Sequence, residues 1–163
     1  MSSFDKSEGH RSVANDQLDR FFTRDTFASY LNPNIAQDWL IIIDKSENLT
    51  LSVWVQEAVD TIYSIMGGNQ YILDKEFEKE GVNRNMWLVG RVSDLVNYRC
   101  AQILSLRSND TMGVFFDAYE NTLSILMEIA KGERRSPIAG KNPDELQNFN
   151  TLSTEESVDL HTP

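Results

Sequence analysis

The side chains that most often carry out chemistry are few in this sequence and widely separated. The two histidines, His10 and His161, lie in the first and last segments, where nothing would hold an imidazole against a nucleophile or a metal. The single cysteine, Cys100, excludes an internal disulfide, and its apolar neighbours are typical of a small core hydrophobe. Asp74 and Glu76 permit a carboxylate pair, but such a charged run is more often a solvated loop.

The sequence motifs of common catalytic sites are also missing. The sequence contains no Gly-x-x-x-x-Gly-Lys-Ser/Thr phosphate loop, no His-Glu-x-x-His zinc motif and no Gly-x-Ser-x-Gly nucleophile elbow. We therefore predict no catalytic residue, no cofactor and no metal, and expect a protein that acts by contact with other molecules.

Candidate contact residues are found near the end of the last predicted helix and in the segment after it. Lys131, Arg134 and Arg135 form a basic patch, which is either a capped and solvated helix end or a salt-bridging or phosphate-facing edge in an assembly. Beyond this patch, apolar residues are spaced along a polar segment and are predicted to anchor an extended strand on a partner. These residues are Leu146, Phe149, Leu152 and Leu160.

The three tryptophans are divided between a contact role and a core role. Trp54 is placed off the main apolar face of its predicted helix, so it is the aromatic residue that we expect to anchor a partner. Trp39 and Trp87 lie within or beside apolar stripes and are assigned to the core.

The elements that position these residues are predicted to be helices. Apolar residues recur at helical spacing in five segments, and we expect an all-α bundle of four or five helices. The five segments are 23–31, 35–44, 51–66, 83–104 and 111–130. The run Trp39–Ile43 alone would also suit a buried strand, and residues 69–82 suit a long connection or a hairpin.

The 163 residues and 40% hydrophobic content are those of one folded domain. We predict an N-terminal arm over 1–20, a helical domain over 21–135 and an extended C-terminal tail over 136–163. The formal net charge of -10 disfavours tight nucleic-acid binding as the function, because that binding depends on cationic side chains that release counterions. The longest apolar run is too short to span a bilayer, so we expect neither secretion nor membrane insertion.

The order and spacing of four segments resemble the Mu-like neck proteins, a family of phage head-to-tail connectors. The segments are FTRDTF at 22–27, VQEAVDTIY at 55–63, VSDLVNYR at 92–99 and the closing IAKG at 129–132. The resemblance departs from the family pattern at 69–82, where an acidic connection replaces a proline-rich one.

The resemblance implies a structural protein of the virion neck, made in the host cytoplasm. Such a protein forms a ring, commonly of twelve copies, that joins the portal protein to the next neck protein or tail terminator. DNA passes through the ring without sequence-specific binding. The alternative from another class is a small acidic helical regulator that binds a host or phage partner, and an enzyme is a more distant third.

Overall fold

A computed structural model of the chain describes residues 11–46, 50–104 and 109–138. This part contains seven helices and no strand, so the predicted all-α class is confirmed. The helices are α1 Asn15–Phe21, α2 Arg24–Ser29, α3 Pro33–Lys45, α4 Leu51–Ile65, α5 Gln70–Phe77, α6 Met86–Ile103 and α7 Asn109–Ala130.

Local polar contacts explain where several of these helices begin. The Oγ1 atom of Thr23 accepts a hydrogen bond of 3.1 Å from the backbone N–H of Thr26, which confirms the predicted cap of α2. Pro33 occupies the first turn of α3, where its missing N–H costs nothing. The Oδ1 atom of Asn85 accepts from the N–H of Leu88 and caps α6 in the same way.

Helix α7 ends at the glycine that the sequence suggested. Gly132 has a φ of 80°, a conformation that favours glycine. Its N–H donates to the carbonyl of Ile129, and the N–H of Glu133 donates to the carbonyl of Glu128. These two bonds form a Schellman motif, which satisfies the last carbonyls of α7 and turns the chain away from the helix axis.

The core is built where the three long helices meet. Helix α6 packs against both α4 and α7, and α4 also contacts α7. Helix α3 joins this group through Trp39, whose ring centroid lies 5.2 Å from that of Phe115 on α7. Trp39 is only 1% exposed, so its helical and core assignments are both confirmed over the strand alternative.

The prediction that residues 1–20 form an arm is wrong for its described part. Residues 15–21 form α1, and Val13, Leu18 and Phe21 are buried. Helix α1 packs against α4 and α5. Leu18 and Phe21 are three positions apart, so a single short helix turns both side chains toward these neighbours.

The long connection or hairpin predicted for residues 69–82 is also wrong. Residues 70–77 form α5, and a short 3-10 turn follows at 81–83. Leu73 and Phe77, one helical turn apart, are fully buried. The ring of Phe77 lies 4.8 Å from Phe21 and 5.7 Å from Tyr63, so aromatic packing stabilises a helix whose sequence is mostly charged.

The start of the predicted tail packs on the bundle. Ile138 is buried, and the carbonyl of Pro137 accepts a hydrogen bond of 3.2 Å from the Asn85 side chain at the start of α6. The described chain therefore ends beside the first turn of α6. The rest of the predicted tail, 139–163, lies outside the described residues.

Candidate functional site

One face of α6 carries aromatic and charged side chains that the bundle covers only in part. Trp87, Arg91, Asp94 and Tyr98 follow one another at intervals of four, three and four residues, which places them on one side of the helix. All four are of intermediate burial. This face differs from the opposite side of α6, whose valines and leucines are buried in the core.

Helix α7 adds a second row of apolar side chains beside this face. The Tyr98 ring lies 4.5 Å from the ring of Tyr119 and 5.6 Å from that of Phe116, which is 42% exposed. Leu123, two helical turns after Phe116, is half-buried and continues the row. We name this surface the α6–α7 seam. It consists of Trp87, Arg91, Tyr98, Phe116, Tyr119 and Leu123.

The one cation of the seam is held in place by its neighbours. The Arg91 guanidinium lies 5.8 Å from the centre of the Trp87 ring, and its Nη2 lies 3.3 Å from Oδ2 of Asp94. The Nε atom of Arg91 is buried and has no hydrogen-bond partner. A buried donor left unpaired in this way is costly to the fold.

Asp94 connects Arg91, on α6, to Thr122, on α7. Its Oδ2 accepts a hydrogen bond of 2.6 Å from the Thr122 hydroxyl, across the contact between the two helices. Burial raises the pKa of Asp94 despite the opposing effects of the Thr122 hydrogen bond and the Arg91 charge. The carboxylate is therefore poorly solvated, and it fixes Arg91 and Thr122 at the base of the seam.

A second polar cluster joins the N-terminal segment to α4 and α5. Arg11 Nε bonds Asp60 Oδ1 at 2.6 Å, and the Ser12 hydroxyl donates to Asp74 Oδ2 at 2.6 Å. The buried Tyr63 hydroxyl donates to Asp74 Oδ1 at 2.5 Å. We name these five residues the N-terminal clasp. Burial, followed by the bond to the Asp74 carboxylate, raises the pKa of Tyr63, so this hydroxyl stays protonated as a donor.

The solvated loop expected for Asp74 and Glu76 is therefore wrong. Asp74 and Glu76 lie on α5 and have separate partners. Asp74 belongs to the N-terminal clasp, whereas the carboxylate of Glu76, a buried residue, accepts from Lys79 Nζ at 2.9 Å. Residues two positions apart on a helix point in different directions, so Asp74 and Glu76 have different partners. Interpreting the segment as a loop does not predict this separation.

The tryptophan assignments require two corrections. Trp54 is 4% exposed and belongs to the core, so its placement off the main face of α4 is wrong. It is buried because α4 is covered on several sides, and the apolar face is wider than one stripe. Trp87, assigned to the core, is only half-buried and lies in the α6–α7 seam.

Cys100 occupies the position expected from the sequence. It is fully buried among apolar side chains on α6, and burial raises its pKa. The side chain is therefore a thiol, and the thiolate that nucleophilic chemistry requires is disfavoured.

The basic patch stays a predicted contact surface. Lys131, Arg134 and Arg135 are all exposed at the end of α7. Arg134 Nε bonds Glu128 Oε2 at 2.7 Å, so one of the three is held by its own helix. The other predicted contact residues lie outside the described residues, as do His10 and His161. These contact residues are Leu146, Phe149, Leu152 and Leu160.

Metal sites and membrane spans are two further classes of feature to consider in residues 11–46, 50–104 and 109–138. Within these ranges, no three histidine, cysteine or carboxylate side chains come together as metal ligands would. None of the helices in the same ranges has the length and apolar content needed to cross a membrane.

Sequence reasoning did not identify the α6–α7 seam, although part of its signal is present. Residues 87, 91, 94 and 98 form a second stripe on α6 beside the apolar one. Aromatic residues at 116 and 119 form a comparable row on α7. What the sequence does not contain is the antiparallel pairing that brings Tyr98 against Phe116 and Tyr119.

Comparison of the chain with protein-family models, curated protein sequences and solved structures found no match.

Proposed function

We propose that this protein is a structural assembly protein, a head-to-tail connector of a virion neck that forms a homo-oligomeric ring. In this proposal the ring joins a portal protein to the next neck protein or tail terminator. The observation that carries the proposal is the α6–α7 seam, where the rings of Tyr98, Phe116 and Tyr119 pack together and stay partly exposed.

The composition of the seam supports binding to a protein. Tryptophan, tyrosine and arginine are the residues that most often dominate the energy of protein interfaces. Four of the six seam residues are aromatic and one is arginine. Since Phe116 is 42% exposed and Tyr98 and Tyr119 are half-buried, a partner would remove further apolar surface from water.

Charge supports a second copy of the chain as that partner. Copies with a formal net charge of -10 repel one another, and the repulsion is weakest where the surface is locally neutral. In the seam, the charge of Arg91 is balanced by Asp94 at 3.3 Å. Two acidic copies can therefore approach at the seam with less repulsion than at most of their surface.

The acidic composition also agrees with a passage for DNA. A ring of acidic subunits would present a lumen that repels the phosphate backbone, so DNA would move through without being held. The ring size, commonly twelve in the family that the sequence resembles, is part of the proposal. The seam itself requires only that each copy contact its neighbours.

The test is self-association of the full chain, followed by sedimentation velocity over a range of concentrations. We expect a closed oligomer of defined mass, and a loss of association of at least tenfold in the double variant Tyr98→Ala/Phe116→Ala. The matched control is Val82→Ala, which removes an apolar side chain that is 97% exposed and lies outside the seam.

The outcomes separate the proposal from the regulator alternative. A ring that forms alone or on added portal protein, and that the double variant prevents, supports the connector. A chain that stays monomeric at every concentration and with portal protein, but binds one soluble partner, would replace the connector by the regulator.

A further inference from the structure

We propose that residues 139–163 cover the α6–α7 seam of their own chain before assembly and compete there with a neighbouring copy. This inference rests on the proposed function, because it assigns a regulator to the surface through which copies are proposed to meet. It makes the C-terminal segment an internal inhibitor of premature assembly.

The described chain ends beside the start of α6, close to the seam. Ile138 is buried, and Pro137 is hydrogen-bonded to Asn85, the residue that caps α6. Trp87, the first residue of the seam, is two positions after Asn85. The segment that begins at residue 139 therefore starts at one end of the seam.

The C-terminal segment is long enough to reach the whole seam. The seam runs along α6 from Trp87 to Tyr98, a distance of about 17 Å at the rise of an α-helix. Phe149 is 11 residues beyond Ile138, and an extended chain of that length spans about 36 Å. The anchors in this segment can therefore reach every part of the seam of the same chain.

The C-terminal segment is chemically complementary to the seam and to the basic residues near it. The segment 139–163 contains five acidic side chains and one lysine. Its carboxylates suit the exposed Lys131 and Arg135, which come shortly before the segment begins. Phe149 and Leu152 are apolar side chains of the kind that the open aromatic rings of the seam would bury.

Attachment to the same chain favours the segment over a neighbouring copy at low concentration. A short connection within one chain creates an effective concentration in the millimolar range, which a free copy reaches only in a crowded assembly site. The fraction of chains with an open seam sets the apparent affinity for a neighbour, so covering the seam weakens association in proportion.

The first experiment compares the full chain with the variant Phe149→Ser/Leu152→Ser by sedimentation velocity. We expect the variant to associate at a concentration at least tenfold lower, because its seam is more often open. The matched control, Val158→Ser, should leave the midpoint unchanged. An unchanged midpoint for the double variant, or a shift to higher concentration, would overturn the inference, the latter by showing that the segment contacts the neighbour.

The second experiment locates the segment directly and does not depend on assembly. A spin label on Asn150→Cys is specific because Cys100 is fully buried. We expect it to broaden the NMR signals of Tyr98 and Leu123 in the labelled molecule at low concentration. The inference fails if these signals stay sharp, or if they broaden only when label and isotope are on different copies.

The two experiments also distinguish this inference from the proposed function. If neither wild type nor the double variant associates, alone or with portal protein, the connector proposal fails. Broadening within one molecule would still establish that the segment covers the seam.

Discussion

The N-terminal clasp and the α6–α7 seam each contain tyrosine and an arginine paired with a carboxylate, yet their polar groups are satisfied differently. In the clasp, Arg11 makes three bonds of 2.6 Å, and Asp74 accepts from both Ser12 and Tyr63. In the seam, the Nε of Arg91 has no partner, and the aromatic rings are partly open to solvent.

The difference indicates what each region is for. A closed polar network that joins distant parts of the chain stabilises the fold, and here it holds residues 11–15 on α4 and α5. A surface with partly exposed aromatic rings beside an arginine can gain binding energy from a partner. We therefore expect changes in the clasp to lower stability and changes in the seam to lower association.

The largest effect is expected from Trp54→Ala. Because this side chain is buried in the core, its removal should lower the free energy of unfolding by about 3–5 kcal/mol. Trp87→Ala is the matched variant in the seam and should cost much less, since its side chain is only half-buried. Urea denaturation followed by circular dichroism compares the two. Equal losses would remove the distinction between core and seam.

A smaller loss of stability is expected from Asp74→Ala. The buried Tyr63 hydroxyl would lose its acceptor, at a cost of about 1–3 kcal/mol. Tyr63→Phe is the matched control, because it removes the hydroxyl together with its need for a partner and should cost less. Thermal unfolding of both variants measures the difference. A more stable Asp74→Ala variant would show that the clasp does not hold the N-terminal segment.

In the seam, Phe116→Ala should weaken self-association more than it lowers stability. We expect a change in stability below about 1 kcal/mol, because much of the ring is already exposed. The apparent dissociation constant for self-association should rise at least tenfold. Chemical denaturation at a concentration where the protein is monomeric, together with sedimentation, separates the two effects. A large loss of stability with unchanged association would place Phe116 in the core.

The smallest effect concerns the pH dependence contributed by Asp94. Its pKa is raised in the folded protein, so the folded state binds the proton more tightly than the unfolded state. The contribution to stability is present below the ordinary aspartate value of 3.8 and is lost as pH rises through the raised pKa. Asp94→Asn should lack this loss, so wild type should lose stability relative to the variant over the pH range from 3.8 up through the raised pKa. Urea midpoints across this range test the sign.

Helical spacing and caps were sufficient to predict α2, α3, α4, α6 and α7. Thr23 marks the start of α2, and Gly132 marks the end of α7, each through a local bond that depends on neighbouring residues alone. The short helices α1 and α5 were missed because their apolar residues are too few for a stripe. Their stability comes from tertiary contacts such as Phe21 against Phe77.

The candidate site was less predictable than the fold. Trp54 and Trp87 have similar sequence surroundings, yet one is buried and the other lies in the seam. The outcome depends on how many helices surround each position, which is a property of the whole packing. The predicted roles of Lys131, Arg134 and Arg135 and of the segment 139–163 stay predictions.

The most direct measurement of the central claim is the mass of the full chain by size-exclusion chromatography with light scattering, before and after addition of portal rings. Wild type and the Tyr98→Ala/Phe116→Ala variant are compared at equal helical content. We expect a large ring for wild type and a monomer for the variant under the same conditions. Equal masses for the two proteins, whether both rings or both monomers, would contradict the claim that copies meet through the α6–α7 seam.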